Sequence, residues 1–443
     1  ADPTLCRAGV TVLPDIYTNA GGVTVSYLKK RGGAHMFRFS LFLVLPALFL
    51  RGETLTLLQV LQLADAKHPQ LRASEAQIAI AEAGIKTAKA YPNPFANVGA
   101  GRQFVRVPGN VTGLVTTFGV EQPIERRELR NTRFRFADRL RESSEVALSQ
   151  TRLGVLSGVR RAFFQILRRR EEIEMARENL KLVEDLRQRI QVRVDVGEAG
   201  RLELIRAEAE VAAARTLVNS VELQLITANS QLQAAVGTPL PQDLTLAGSL
   251  DPPRVLPALD EVRQEAIGRH PAILLAQAEV RRAESRIPYE QALGRPQPSV
   301  RTDYDIFPDV PNVRLSLSLP LPVWNKREGP IAEAVANSRR ADALARAQQI
   351  EILAALEGAF GRYQLATQQL ALFETGLLRE AQEALRAAGV AYQLGERGIL
   401  EVLDAQRVLR QVRLNFLNAQ YERQSALVDL DELRGLDLRG YTP

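Results

Sequence analysis

Apolar residues in the second half of the chain return in steps of three and four: Val402, Ala405, Leu409, Val412, Phe416, Ala419, Ala426, Leu430 and Leu433, with Arg423 the polar exception. A matching series runs through the first half, from Leu204 through Ala207, Val211, Ala214, Val218, Val221, Leu225, Ala228 and Leu232 to Ala235. This spacing, sustained over several heptads, predicts helices that pack lengthwise along a coiled-coil seam. Gly237 and Gly435 follow the two series at one register, where C-terminal helix caps belong. A sharp turn precedes each series. Gly197, Glu198, Gly200, Leu202 and Glu203 of the first turn correspond to Gly395, Glu396, Gly398, Leu400 and Glu401 of the second. The chain is two copies of one plan.

Upstream of each turn lies a helical pattern of about seventy residues, over 124–194 and 326–393, each roughly 100 Å long at the α-helical rise. A helix of that length cannot fold over a globule and must pack against other helices. Before each long pattern the period changes to two. Val300, Thr302, Tyr304 and Ile306 alternate with Arg301, Asp303 and Asp305; Val313, Leu315, Leu317 and Leu319 alternate with Arg314, Ser316 and Ser318. These predict strands over 299–307 and 313–320, with a weaker pair over 95–105 and 114–122. Prolines at 92, 94, 123, 296, 298, 320 and 322 bound them. The pattern suits a transmembrane β-strand with one face to lipid and one to water, and alternation alone fits an antiparallel sheet on a soluble core equally. Residues 54–90 predict helix, and His68-Pro69 recurs as His270-Pro271 in the matching segment 259–287. Proline suits the first helical position, so each His marks a helix boundary rather than a metal site.

Composition narrows the reading. The chain has 443 residues, 46% hydrophobic but only 6% aromatic, which favours long helices over a thick globular core. Its single cysteine, Cys6, excludes a disulfide framework and a cysteine zinc site. The net charge is +6, but residues 1–52 hold six Lys/Arg against two Asp, leaving 51 against 49 in the remainder. No basic face for nucleic acid is expected. After Met36 and Arg38 the apolar run from Phe39 to Leu50 has the length of a signal-peptide core, so 36–52 is expected to be a signal peptide. No Cys follows it, and no lipid anchor is expected. Residues 1–35 lie outside the repeat. Their stretch 12–27 resembles a segment of glutamate dehydrogenase, with no glycine-rich nucleotide fingerprint after it, and reads as an extraneous N-terminal extension. No nucleophile–base constellation is present, so the chain is not expected to be an enzyme or to hold a cofactor.

Four strands are too few to close a barrel, and an open sheet leaves bare edges that lipid cannot satisfy. Chains must therefore share one barrel; three copies of four strands would give twelve. A periplasmic coiled-coil scaffold is the alternative, and it explains the helices but not the strands.

Across residues 53–435 the chain resembles the TolC-like outer membrane factors of tripartite efflux systems. The match is strongest at 391–405, Ala-Tyr-Gln-Leu-Gly-Glu-Arg-Gly-Ile-Leu-Glu-Val-Leu-Asp-Ala, supported by the duplicated turn at Val196-Gly197. Tyr91-Pro-Asn-Pro94 and Leu319-Pro-Leu-Pro-Val-Trp-Asn-Lys326 resemble the CzcC-type heavy-metal subgroup. The resemblance implies a mainly α fold with a β-barrel part: homotrimers with a twelve-stranded barrel in the outer membrane and an α-helical tunnel through the periplasm. It implies two structural repeats, 53–237 and 257–435, a linker over 238–256 and a tail over 436–443. The implied role is a passive exit for metal cations or small toxic compounds. Its implied partners are a periplasmic adaptor (membrane fusion) protein and an RND-type inner-membrane pump. In the family pattern Tyr392 and Arg397 tie to an acidic residue, here Glu203, on the neighbouring hairpin. Glu401 and Asp404 match acidic rings at the constriction, where the family often has Asp at the first position. Val196, Gly197, Leu394 and Gly395 match the turns that receive the adaptor.

Overall fold

The computed structural model describes residues 54–104, 111–241, 245–250 and 256–440. The expected signal peptide and the extension at 1–35 lie outside the described residues, as do residue 105 of the expected first strand, 242–244 and 251–255 of the linker and 441–443 of the tail. Described residues begin with β1 (Thr54–Thr56), α1 (Leu57–Lys67) and α2 (Pro69–Lys89). Thr56 caps α1 reciprocally: its Oγ1 accepts from the Gln59 amide at 3.4 Å, and Gln59 Oε1 accepts from the Thr56 amide at 2.8 Å. Then come β2 (Phe95–Gln103), β3 (Gly113–Pro123), α3 (Arg127–Asp195) and α4 (Arg201–Val236). After β4 (Thr245–Ala247) the plan repeats as α5 (Leu259–Arg269), α6 (Pro271–Leu293), β5 (Ser299–Ile306), β6 (Asn312–Ser318), α7 (Glu328–Leu372), α8 (Leu378–Gln393) and α9 (Ile399–Leu433).

The helical stretch expected over 54–90 is divided at His68, at the boundary its following proline marks, and its counterpart is divided at His270. Each His is an N-cap whose Nδ1 accepts from the amide two residues on, Gln70 or Ala272, both at 3.2 Å. The duplicated His-Pro pair is therefore a helix start whose cap is the imidazole itself. Gly237 and Gly435, at φ +72° and +67°, press against His68 and the Arg269–His270 backbone. Two further features carry no periodic signal. β1 and β4 pair in parallel, Leu55 beside Leu246, which ties the linker to the start of the first repeat. The second long pattern is interrupted by a π-turn at Phe373–Leu377, where Gly376 takes φ +156°, whereas α3 runs unbroken for 69 residues. A π-turn widens the helix by one residue, and glycine permits the φ it needs here.

β2-β3-β5-β6 form one antiparallel sheet in that order. The register places Val98, Phe118, Tyr304 and Val313 in one row and Val120, Thr302 and Leu315 in the next, all on one face. Val98, Phe118, Val313 and Leu315 are exposed, as a lipid-facing surface requires. On the other face Arg301 binds Asp303 at 2.8 Å, and Arg314 and Thr117 bind Asp305 at 3.1 and 2.6 Å. No described helix is long and apolar enough to cross a membrane.

The largest buried cluster joins α1, α3, α4 and α9 through Leu61, Phe163, Ile166, Leu232 and Val428. Beside it Arg160 and Asp431 form a fully buried ion pair at 2.8 Å. Along α4 the buried apolar positions are Ala207, Val211, Ala214, Val218, Val221, Ala228, Leu232 and Val236, and Glu210 is buried among them. Leu225 and Ala235 are only half-buried, because the seam drifts around a 3.6-residue helix.

Candidate functional site

Both long hairpins, α3–α4 and α7/α8–α9, end in the same turn. Val196 closes α3, and Gly197 follows at φ +83°. The Gly197 amide donates to Val194 O at 3.1 Å and the Glu198 amide to Arg193 O at 2.8 Å. In the second turn, after Leu394, Gly395 at φ +75° donates to Tyr392 O at 3.1 Å and Glu396 to Ala391 O at 3.0 Å. These paired bonds make the Schellman motif, which satisfies the last helical carbonyls and requires a left-handed residue, hence glycine. A Cβ on Gly197 or Gly395 would meet nothing within 4 Å. The adjoining Val196 and Leu394 are 65% and 69% exposed. The tips thus present bare backbone and two apolar side chains to an incoming surface.

The side chains around the turns differ between the copies. Tyr392 is buried with Ile190, Ala207, Ile399, Val402 and Leu403, a cluster that joins the two hairpins just behind their tips. Its hydroxyl donates to Glu203 Oε2 at 3.2 Å, linking α8 to the first turn of α4. The Arg193 guanidinium lies over the ring, 4.8 Å from its centroid. Burial first, and the Glu203 charge next, push the Tyr392 phenol above its ordinary pKa, which keeps it a donor. Arg397 lies instead against Glu401 at 3.6 Å, both exposed, and makes no ion pair with Glu203 within the chain. Arg397 sits just before the Gly398 N-cap, so the first turn of α9 carries Glu401 to its side. Asp404 is exposed one turn further along, without an ion-pair partner among the described residues.

The sequence profile of the outer membrane efflux proteins matches residues 60–238 and 262–436. The chain belongs to the outer membrane efflux protein family. It is 25% identical over 389 residues, 86% of this chain and 90% of the relative, to the cobalt-zinc-cadmium resistance protein CzcC of Cupriavidus metallidurans. It shares its fold with the open-state MtrE outer membrane channel of Neisseria gonorrhoeae, with TM-score 0.71, 20% identity, and coverage of 86% of this chain and 89% of that one. The outer membrane protein VceC of Vibrio cholerae gives TM-score 0.70 at 17% identity, over 86% of this chain and 96% of VceC. This outer membrane efflux protein is accordingly an efflux-channel component of the outer membrane, with its four-stranded sheet as the barrel part and its helices extending into the periplasm.

In this efflux protein other residues also tie the hairpins. Gln406 donates to Asn179 at 3.1 Å, Arg413 pairs with Glu178 at 3.2 Å, and Arg407 binds Glu210 at 2.7 Å. Sequence reasoning passed over them. The available signal was Glu210 itself, a carboxylate three residues after Ala207 and beside Val211, on the apolar face of α4. No group of three or more His, Cys, Asp or Glu side chains that could hold a metal occurs within the described residues.

Proposed function

We propose that this chain forms a homotrimeric, gated exit duct for metal cations, docked at its hairpin tips to a periplasmic adaptor and through it to an RND-type pump. The observation that carries the gate is the Tyr392–Glu203 bond, which holds the two hairpin tips of one protomer together beside exposed acids. Among the described residues the outer edges of β2 and β6 have no strand partner, which supports a barrel shared between copies. Glu401 and Asp404 would then stand as rings at the narrow end, where clustered carboxylates favour cations. The likeness to a cobalt-zinc-cadmium resistance protein supports metal cations over other small toxic compounds. Val196, Gly197, Leu394 and Gly395 form the docking surface, with exposed apolar side chains beside open backbone.

The test is Gly395→Asn together with Gly395→Val, in cells that carry the cognate pump and adaptor. Asn accepts the left-handed conformation, and the added side chain meets nothing within the chain, so the channel itself should still assemble. Both variants should lose tolerance to cobalt, zinc or cadmium while crosslinked trimers remain in the membrane. Undiminished tolerance would refute docking at this turn, and a wild-type channel that conferred no tolerance to these metals would refute the substrate class.

A further inference from the structure

Glu210 is only 7% exposed, yet two guanidinium groups converge on it from α9. Arg407 Nη2 lies 2.7 Å from its Oε2, and Arg410 Nη1 lies 3.7 Å from its Oε1. Both arginines reach inward from a largely exposed surface, so the carboxylate draws their charge toward α4. Asp404 precedes Arg407 by three residues on the same helix, and positions so spaced share a side. Asp404 already acts on Arg407 electrostatically, after the dominant hydrogen bond and charge of Glu210. Without Glu210, the nearest carboxylate along the helix for Arg407 would be Asp404.

We propose that Glu210 is a positioning residue for ion selectivity: by holding Arg407 and Arg410 against α4, it keeps Arg407 off Asp404 and leaves that carboxylate uncompensated toward the passage. The inference rests on Asp404 lining the constriction. A tie between hairpins alone would need only one arginine and would make no demand on Asp404. Here the anchor is buried, whereas the freed pair would be exposed, so Glu210 outcompetes Asp404 for the guanidinium. Each protomer would supply one such device, and their effect on the field at a shared axis would add. Selectivity would therefore be set by a residue that no permeating ion touches.

The measurement is the cation-to-anion permeability ratio of the intact channel in planar bilayers under a potassium chloride gradient. Glu210→Gln should lower cation preference about threefold, the scale of an exposed helical ion pair summed over a few copies. Glu210→Gln with Arg407→Gln should restore it, because the arginine freed three residues from Asp404 is gone and Arg410, six residues away, does not share its side. A purely architectural Glu210 would leave the double variant as impaired as the single one. Unchanged preference in Glu210→Gln, or no recovery in the double variant, overturns the proposal. Asp404→Asn separates the premise: if that variant selects like wild type, Asp404 does not line the constriction. If it loses cation preference while Glu210→Gln does not, only the positioning role falls. Should Glu210→Gln fail to assemble, Arg407→Gln alone must leave cation preference undiminished, and a fall there overturns the proposal equally.

Discussion

Replacing Tyr392 with Phe removes one hydroxyl and nothing else. The ring keeps its place among Ile190, Ile399, Val402 and Leu403 and beneath Arg193. What is lost is the 3.2 Å bond to Glu203, the side-chain hydrogen bond that joins α8 to α4 at the tips. A hydrogen bond to a charged acceptor contributes about 1.5–3 kcal/mol. The distance is long and Glu203 is half-exposed, so solvent reclaims part of that, and about 0.5–1.5 kcal/mol per protomer is reasonable. Three protomers would then lose about 1.5–4.5 kcal/mol from the closed state, a shift of roughly tenfold to a thousandfold toward open. Single-channel recording in planar bilayers reads this as a larger open fraction or a higher mean conductance. Thermal melting of the detergent-solubilised protein serves as the control and should hardly move, because the apolar cluster is intact. Conductance and open fraction equal to wild type, with melting unchanged, would refute the view that this bond holds the tips closed. Arg397→Ser should have the smaller effect within a protomer, since Arg397 meets Glu401 at 3.6 Å with both side chains exposed to solvent.

Gly435→Ala should be strongly destabilising: the added Cβ would sit 2.9 Å from Arg269 O and His270 Cα at φ +67°, together about 2–5 kcal/mol from left-handed strain and overpacking. Gly197→Ala, at φ +83° with nothing within 4 Å, carries only the strain of about 1–2 kcal/mol, and equal melting temperatures for the two variants would refute the packing argument. Burial lowers the His270 pKa below its ordinary 6.5, and its Nδ1 must stay unprotonated to cap α6. The unfolded chain then binds more protons than the folded one below that value, so stability is complete above pH 6.5 and declines as pH falls through it toward the depressed folded value. His270→Asn keeps a capping acceptor and should flatten the melting-temperature profile; an unchanged profile would place the pH sensitivity elsewhere.

Much of this protein is written in local periods. Steps of three and four along Ala207–Leu232 and Val402–Leu433, and alternation along 299–320, depend only on how a helix or strand turns its side chains. Each stretch therefore declares its own type and its own apolar face. The glycines of the two turns are equally local, because a left-handed residue is required wherever a helix ends in a Schellman motif. Together these make the duplicated, mainly helical plan and its small β part legible in the sequence. The chemistry of the tips was legible only through family resemblance, because Tyr392 and Glu203 are separated by a whole hairpin and no period links them. Tertiary structure decided the remainder. Three residues are too few to show alternation, so the β1–β4 pairing depends on where the linker is carried. The π-turn at Gly376 is a one-residue insertion that an apolar pattern absorbs without a visible break. Glu210 shows the limit most plainly. On α4 alone it is a carboxylate beside a seam, and it becomes the anchor of Arg407 and Arg410 only when α9 packs against that seam, because a charge takes its partner from whatever the fold brings within reach.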